Sequence, residues 1–203
     1  MSLRREIATQ APKRTFLVFC EGARTEPEYL MALSQEPAVY DVASVKIEIA
    51  AEPRGAVPYT LVSAAAEYKS RSSEEAREVD EVWCLFDVEC PDNHPNLQET
   101  VELANQNGIR PAISNPCFEL WLALHFEDQT DCLTTDEAVE LRSSHDGSSD
   151  KSVNGATYMP RRNKALRRAR YLDGMHQRNG NAFPNDNPSS GMFRFLEAVE
   201  GHE

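Results

Sequence analysis

The sequence predicts an α/β protein with a mainly parallel four-stranded sheet, helices on its flanks and a C-terminal helical extension. Two apolar runs, residues 16–20 and 82–86, are rich in strand-forming side chains and too short for a typical helix, which favours strands buried on both faces. Segments with helical spacing alternate with the strands, an order typical of right-handed crossovers in a parallel sheet. With 203 residues, 40% of them hydrophobic, the chain can enclose one such core.

The first strand leads into a helix that carries several acids. Residues 16–20 end on Glu21, which is the first candidate site residue. Thr25 and Glu28 match a capping box with Thr25 as the N-cap, so a helix is expected from there. We therefore interpret Glu26 and Glu28 as acids that serve the cap and the helix dipole rather than a site.

The second and third predicted strands differ in character. Residues 45–50 alternate between apolar and polar side chains, which is typical of a half-exposed strand near a sheet edge. After a helix predicted over residues 59–71, the third strand ends with Asp87 and Glu89. Two acids in an acid-x-acid step lie on one side of an extended chain and can share a cation, at the sheet edge where α/β proteins bind ligands. The alternative is a pair of solvated loop acids.

A loop, a helix and a fourth strand follow. Residues 90–95 contain two prolines and cannot continue a strand, so they are expected to form a loop at the ligand edge. A helix is predicted over residues 96–107, with Gly108 as its C-terminal cap residue. Residues 109–114 form the fourth strand, and Pro111 favours an edge position or a bulge for it.

The next predicted helix is apolar on nearly all sides. Pro116 suits its first turn, and apolar side chains continue to residue 126, which predicts a buried helix. Glu119 inside this helix needs a partner to stay ionised, so it is either half of a structural ion pair or a member of the site. His125 is expected to be a packing histidine.

The composition changes after the buried helix. A short amphipathic helix is predicted over residues 136–142, and the polar, Gly/Ser-rich residues 143–155 are expected to be disordered. Residues 187–190 are typical of a turn that caps a last helix over residues 191–200. We expect one compact unit, in which the parts are a flexible arm at 1–15, the sheet core at 16–126 and the helical extension at 127–203.

A basic helix is predicted to begin at Pro160. Residues 151–175 contain seven basic residues and one acidic residue, in a chain whose net charge is −12. The apolar residues of this helix fall on one arc, so most of the basic side chains face away from the core. This concentration of positive charge is typical of a nucleic-acid footprint, and the alternative is a solvated helix that pairs with acidic groups. The footprint residues are Arg161, Lys164, Arg167 and Arg168.

The overall composition disfavours several classes of protein. With 21 basic and 33 acidic residues, general coating of nucleic acid and binding to anionic membranes are not expected. The sequence has no run of 18 apolar residues and no apolar leader, so neither a membrane span nor a secretory signal is indicated. Five cysteines, odd in number and without a Cys-x-x-Cys pair, predict reduced thiols in a cytoplasmic protein.

Three acids, Glu21, Asp87 and Glu89, are therefore expected at one edge of the sheet. Oxygen ligands without a set of histidines or cysteines favour Mg²⁺ or Mn²⁺ over zinc. These ions activate water and neutralise phosphate charge, so phosphodiester chemistry is expected. The sequence has neither a Walker-type phosphate loop nor a G-x-S-x-G elbow, which disfavours an ATPase and a serine hydrolase.

Three motifs together resemble the RloB-like family. They are Cys-Glu-Gly-x-x-Thr-Glu-Pro-x-Tyr at residues 20–29, the strand that ends in Asp87 and Glu89, and Asn-Pro-Cys-Phe-Glu-Leu-Trp at residues 115–121. The Asn-Pro-Ser-Ser sequence at residues 187–190 is similar to the C-terminal end of that family. The resemblance implies a relationship to the Toprim fold of topoisomerases, primases and defence nucleases, with a divalent metal site. It also implies a role beside restriction-modification or phage-defence genes, often with a partner ATPase.

The resemblance assigns a role to each acid by its position. Glu21 matches the Toprim glutamate, a general acid/base or metal ligand, while Asp87 and Glu89 match the acid-x-acid metal pair. The chain departs from the pattern at Glu89, where Toprim proteins have aspartate. The extra methylene moves the carboxylate by on the order of an ångström, which matters for the octahedral geometry of Mg²⁺. Glu119 matches a family glutamate and is a further candidate ligand.

The function that the resemblance implies is a nuclease dependent on Mg²⁺ or Mn²⁺. It would cleave phosphodiester bonds of DNA or RNA, tRNA included, in anti-phage defence, with a partner ATPase. The alternative is a catalytically weak Toprim-like subunit that binds nucleic acid or regulates the ATPase.

Overall fold

A five-stranded sheet lies at the centre of the computed structural model, which describes residues 13–49, 57–74, 79–148 and 150–201. The strands are β1 Arg14–Cys20, β2 Ala43–Ile49, β3 Glu81–Asp87, β4 Arg110–Asn115 and β5 Ser189–Ser190. They lie in the order β2-β1-β3-β4-β5; the first four are parallel, and β5 is antiparallel to β4. The mainly parallel α/β sheet is thus confirmed. The predicted count of four strands is wrong, because the expected turn at residues 187–190 contains β5.

Every predicted helix is present, with ends that differ by a few residues. A short 3₁₀ turn, Met159–Arg161, precedes the basic helix, so that helix begins slightly later than expected. The α-helices of the described residues are α1 Thr25–Ser34, α2 Pro37–Tyr40, α3 Pro58–Glu74, α4 Leu97–Gln106, α5 Phe118–Ala123, α6 Thr135–Asp146, α7 Gly155–Tyr158, α8 Arg162–Asn179 and α9 Met192–Glu200. Among these helices, none combines the length and apolar character needed to span a bilayer.

Side chains of the central strands alternate between two helix-covered faces. Phe16 and Trp83 belong to the larger apolar cluster, which includes residues of α1, α5, α8 and α9. Leu17 and Cys84 belong to the cluster on the other face, with α3 and α4. Because both faces are covered, the central parts of β1 and β3 are uninterrupted apolar runs. The C-terminal part of the chain therefore completes the same core as the strands.

β4 is an inner strand, which corrects the edge position expected from Pro111. Its neighbour β5 pairs only with Ser114 and Asn115, at the far end of β4 from Pro111. The missing N–H of the proline therefore interrupts no ladder with β5. Gly191 continues the contact by donating its amide to the Ile113 carbonyl at 2.7 Å. A Cβ at position 191 would lie 2.9 Å from the Ile113 nitrogen, so this close approach requires glycine.

The start of α1 also differs from the prediction. Thr25 is the first helical residue and not the N-cap, and its hydroxyl donates to the Lys151 carbonyl at 3.2 Å. Glu28 accepts a hydrogen bond from the Val153 amide at 2.7 Å. Both side chains thus attach the 151–153 loop to α1, and the expected capping box is absent from this helix.

The expectation of disorder over residues 143–155 is wrong for the residues described there, all but residue 149. Arg142 is only 2% exposed and forms a 3.0 Å salt bridge with Asp146. The same guanidinium donates to the carbonyls of Asp150 and Ser152, which fixes the loop from its inner side. Polar groups of this segment thus bind the buried Arg142 guanidinium, which holds the segment in place.

Two further boundaries differ from the prediction. Pro116 precedes α5 instead of lying in its first turn, and Cys117 is the N-cap of this six-residue helix. Most of the arm predicted at residues 1–15 falls outside the described residues, while Arg14 and Thr15 belong to β1.

Candidate active site

Glu21 and Asp87 meet at the carboxyl end of the two central strands. Glu21 follows β1, and Asp87 is the last residue of β3, its hydrogen-bonded neighbour. The Glu21 amide donates to the Leu85 carbonyl at 3.1 Å, and the Glu21 carboxylate accepts from the Asp87 amide at 3.1 Å. Parallel pairing thus brings together two acids that are 66 positions apart in the chain.

Two more carboxylates belong to the same group. Glu119 is 8% exposed in the first turn of α5, just beyond the end of β4. Glu26 is 4% exposed in the first turn of α1, and its carboxylate accepts from the Gly22 amide at 3.0 Å. Glu26 thus binds a backbone amide at the start of α1, as the cap interpretation expected, and its charge also acts on Asp87. We call Glu21, Glu26, Asp87 and Glu119 the acid cluster.

Mutual repulsion and burial dominate the electrostatics of the acid cluster. Burial raises the pKa of Asp87 well above its usual value although the residue keeps partial access to solvent, and the charge of Glu26 raises it further. Smaller contributions to the same shift come from Glu21, Glu119 and Glu89. The pKa of Glu26 is raised to about 6, first by burial and then by Glu119 and Glu21. Such a group favours either a retained proton or a bound cation.

The Glu89 side chain binds α6, unlike that of Asp87. Its backbone has a φ of 68°, so the chain is no longer extended there and the acid-x-acid geometry expected from the sequence does not apply. Its carboxylate accepts from the Thr135 hydroxyl at 2.5 Å, and its amide donates to the Pro116 carbonyl at 2.8 Å. The charge of Glu89 still acts on Asp87, although its oxygens are bound to α6.

Two histidines near the site have contrasting environments. His94, in the loop after β3, lies with Nε2 3.0 Å from a Glu21 oxygen, and this hydrogen bond raises the pKa of His94. The sequence analysis did not single out His94. His125 is fully buried between Tyr29 and Trp121, and burial lowers its pKa to about 3. It hydrogen-bonds to the Trp121 carbonyl and the Tyr29 hydroxyl, as expected of a packing histidine.

The predicted basic footprint on α8 divides into separate environments. Lys164, Arg167 and Arg168 line one cavity of about 550 Å³. Arg168 also donates to the Leu124 carbonyl at 2.8 Å, so it contributes to the packing of α8 on α5. Arg161 does not line this cavity and lies over the Phe126 ring, 5.3 Å from its centroid.

A model of a known protein family matches most of the chain. The model of the RloB-like protein family matches residues 16–199, from β1 into α9. The chain belongs to the RloB-like family. Comparison with curated proteins gave no match, and comparison with solved structures gave none either. The matched range contains the whole acid cluster and the basic helix.

The donor atoms of this RloB-like chain suit a hard divalent cation. All members of the acid cluster offer carboxylate oxygens, and a cation would offset the burial and repulsion that oppose ionisation of Asp87 and Glu26. Within the described ranges no three acidic, cysteine or histidine side chains already surround one point as ligands. Glu21 and Glu26 instead accept hydrogen bonds from backbone amides. Binding a cation would therefore require these carboxylates to exchange their present partners.

Proposed function

We propose that this RloB-like chain is a divalent-metal-dependent nuclease of the Toprim type. It would hydrolyse phosphodiester bonds of DNA or RNA, tRNA among them, in the cytoplasm as part of anti-phage defence. The observation that carries this proposal is the acid cluster, in which four carboxylates from separate elements meet at the ligand edge of a parallel sheet, and burial together with neighbouring charges raises the pKa of Asp87 and Glu26.

The order of the strands supports the Toprim assignment. Glu21 directly follows β1, and Asp87 ends β3, which lies beside β1 in the sheet. This is the placement expected for the Toprim glutamate and the first acid of the metal pair. Glu119 reaches the same edge from the next strand along, through α5.

Mg²⁺ or Mn²⁺, when bound, would supply charge neutralisation for a phosphate group and acidify a water molecule. Asp87, Glu21 and Glu119 are the side chains that we propose to hold it, with Glu26 behind them. The hydrogen bond from His94 keeps Glu21 oriented and leaves a proton on the imidazole at neutral pH more readily than in a free histidine. His94 is thus placed to hold or donate a proton beside Glu21.

The second candidate is a catalytically weak Toprim-like subunit that binds nucleic acid or regulates a partner ATPase. Glu89 favours it, because this acid stands where Toprim proteins have a metal-ligating aspartate and its carboxylate is bound to Thr135. A site that loses one ligand would bind Mg²⁺ more weakly, since this ion tolerates little departure from octahedral geometry.

Cleavage assays separate the two candidates. The purified chain is incubated with plasmid DNA or tRNA and either Mg²⁺ or Mn²⁺, alongside Asp87→Asn and the exposed loop variant Asp92→Asn. We expect metal-dependent cutting by the wild type and Asp92→Asn, and its loss in Asp87→Asn. Equal cutting by Asp87→Asn would contradict the site. A wild type that cuts with neither metal, with or without a partner ATPase, would favour the binding subunit.

A further inference from the structure

A cavity of about 550 Å³ opens beside α8, and no member of the acid cluster lines it. Its walls are the 128–130 segment and the side of α8 that carries Lys164, Arg167, Arg168 and Tyr171. This volume lies in the range of pockets that bind small organic ligands, on the order of 300–1,000 Å³. The cavity is therefore large enough for one nucleotide and too small for a stacked base pair with its backbones.

The charges in this cavity are incompletely paired. Arg168 forms a 2.5 Å salt bridge with Asp128. The side chains of Lys164 and Arg167, by contrast, have no hydrogen-bond or ion-pair partner among the residues that the structure describes. Three basic and one acidic side chains leave a positive excess, in a chain whose net charge is −12. An anion is the ligand that this excess favours.

An aromatic ring lies on the same face of the helix. Tyr171 follows Lys164 by seven positions and Arg167 by four, so the three side chains form one stripe along α8. Tyr171 is 59% exposed, and the Arg178 guanidinium lies 5.9 Å from the centroid of its ring. Exposed aromatic rings beside cationic side chains form the stacking platforms of proteins that bind single-stranded nucleic acid.

We propose that this cavity binds one nucleotide of a single-stranded nucleic acid, with the base stacked on Tyr171 and the phosphate held by Lys164 and Arg167. Arg168 and Asp128, which form a salt bridge with each other, make up part of the cavity wall. A base within a duplex cannot lie flat on Tyr171, because its faces are already stacked on neighbouring bases. This inference deepens the proposed nuclease function by naming single strands as the class of substrate, and it rests on that function for its biological use.

The test measures binding without cleavage. Fluorescence anisotropy in EDTA follows the wild type with a labelled oligothymidylate, a labelled single-stranded RNA and a duplex of the same length. We expect both single strands to bind more tightly than the duplex. Tyr171→Leu should weaken single-strand binding roughly tenfold, while Tyr171→Phe, which retains the ring, should bind like the wild type. Arg167→Gln should weaken binding and lower the slope of log affinity against log salt by about one.

A matched control lies on the same helix. Arg170→Gln removes the same charge from α8 outside the cavity, where Arg170 pairs with Glu197, and should leave the affinity unchanged. Thermal melting of each variant confirms that folding is retained. Equal binding by Tyr171→Leu and wild type, or duplex binding as tight as single-strand binding, would overturn the proposal.

The same assay separates this inference from the nuclease proposal. Asp87→Asn should bind single strands as the wild type does in EDTA, because the cavity shares no residue with the acid cluster. A wild type that binds single strands but cuts with neither Mg²⁺ nor Mn²⁺ would remove the nuclease proposal alone. If Tyr171→Leu still cuts, and its affinity for single strands and its preference for them over duplex are unchanged, the cavity proposal alone is rejected.

Discussion

The Glu26 carboxylate lies 3.0 Å from the Gly22 amide, in the space that a Cβ on residue 22 would occupy. A Cβ on Gly22 would collide with both Glu26 oxygens. The glycine after Glu21 thus lets α1 direct its first-turn acid back to the sheet edge. In the Glu-Gly pair of the first motif, Glu21 is a candidate site residue and Gly22 leaves room for the Glu26 carboxylate.

Gly22→Ala is expected to destabilise the protein by about 1–3 kcal/mol, because the new methyl group displaces a buried carboxylate from its hydrogen bond. Urea denaturation at pH 7 measures the change in the free energy of unfolding. In a Glu26→Ala background the same substitution should cost much less, because no carboxylate remains to collide with. Equal costs in the two backgrounds would show that the strain arises elsewhere.

Glu26 is expected to make stability fall as the pH rises. Its pKa is raised from 4.5 to about 6 in the folded chain, so the folded state binds more protons than the unfolded state across that interval. The free energy of unfolding should then decrease from about pH 4 to about pH 7 by on the order of 2 kcal/mol from this group. Urea titrations of the wild type and Glu26→Gln measure the difference.

Glu140→Gln is the control for this pH dependence, since Glu140 is an exposed acid in the middle of α6. The difference in the free energy of unfolding between the wild type and Glu26→Gln should change with pH, and Glu140→Gln measures the effect of the same substitution at an exposed helical position. Parallel curves for Glu26→Gln would mean that this carboxyl ionises normally.

Asp87→Asn is expected to raise the free energy of unfolding at pH 7.5 in the absence of divalent ions. The wild-type carboxyl must either ionise against burial and the charge of Glu26 or take up a proton, whereas the amide does neither. Millimolar Mg²⁺ or Mn²⁺ should stabilise the wild type and leave Asp87→Asn unchanged, since a ligand of the folded state adds to stability. A differential scanning melt with and without metal measures both effects. Equal metal shifts in the two proteins would place the cation elsewhere.

Arg142→Met is expected to cost about 3–5 kcal/mol, because it leaves the buried Asp146 carboxylate and two loop carbonyls without their cation. The matched substitution is Arg71→Met, which breaks an exposed pair with Glu67 and should stay within about 0.5 kcal/mol. Urea denaturation measures both. A small cost for Arg142→Met would mean that the 150–154 loop holds its position without the guanidinium.

The parts of the fold that could be predicted are those whose sequence has a strong local hydrophobic pattern. Buried parallel strands produce uninterrupted apolar runs, so β1 and β3 could be located and the acids at their ends followed. The positions of Glu21 and Asp87 at one sheet edge depend only on that pairing. Glu119 was left between two interpretations, and its burial near Asp87 is a tertiary fact that its apolar helix alone did not specify.

The features that the sequence did not predict depend on distant contacts. Thr25 has the local pattern of an N-cap, but its hydroxyl is taken by the Lys151 carbonyl, 126 positions away, and the helix begins at Thr25 itself. Glu89 leaves the extended conformation through a positive φ that a glutamate seldom adopts. The two residues of β5 are too few to show any periodicity.

During synthesis, the ribosome delivers every member of the acid cluster well before it delivers β5 and α9. Phe195 of α9 packs edge-on against Trp83 of β3, with ring centroids 5.2 Å apart, and the Gly191 amide binds the backbone of β4. A nascent chain that ends near residue 126 thus carries all four carboxylates on a sheet with an uncovered apolar face, which is a target for chaperones and proteases.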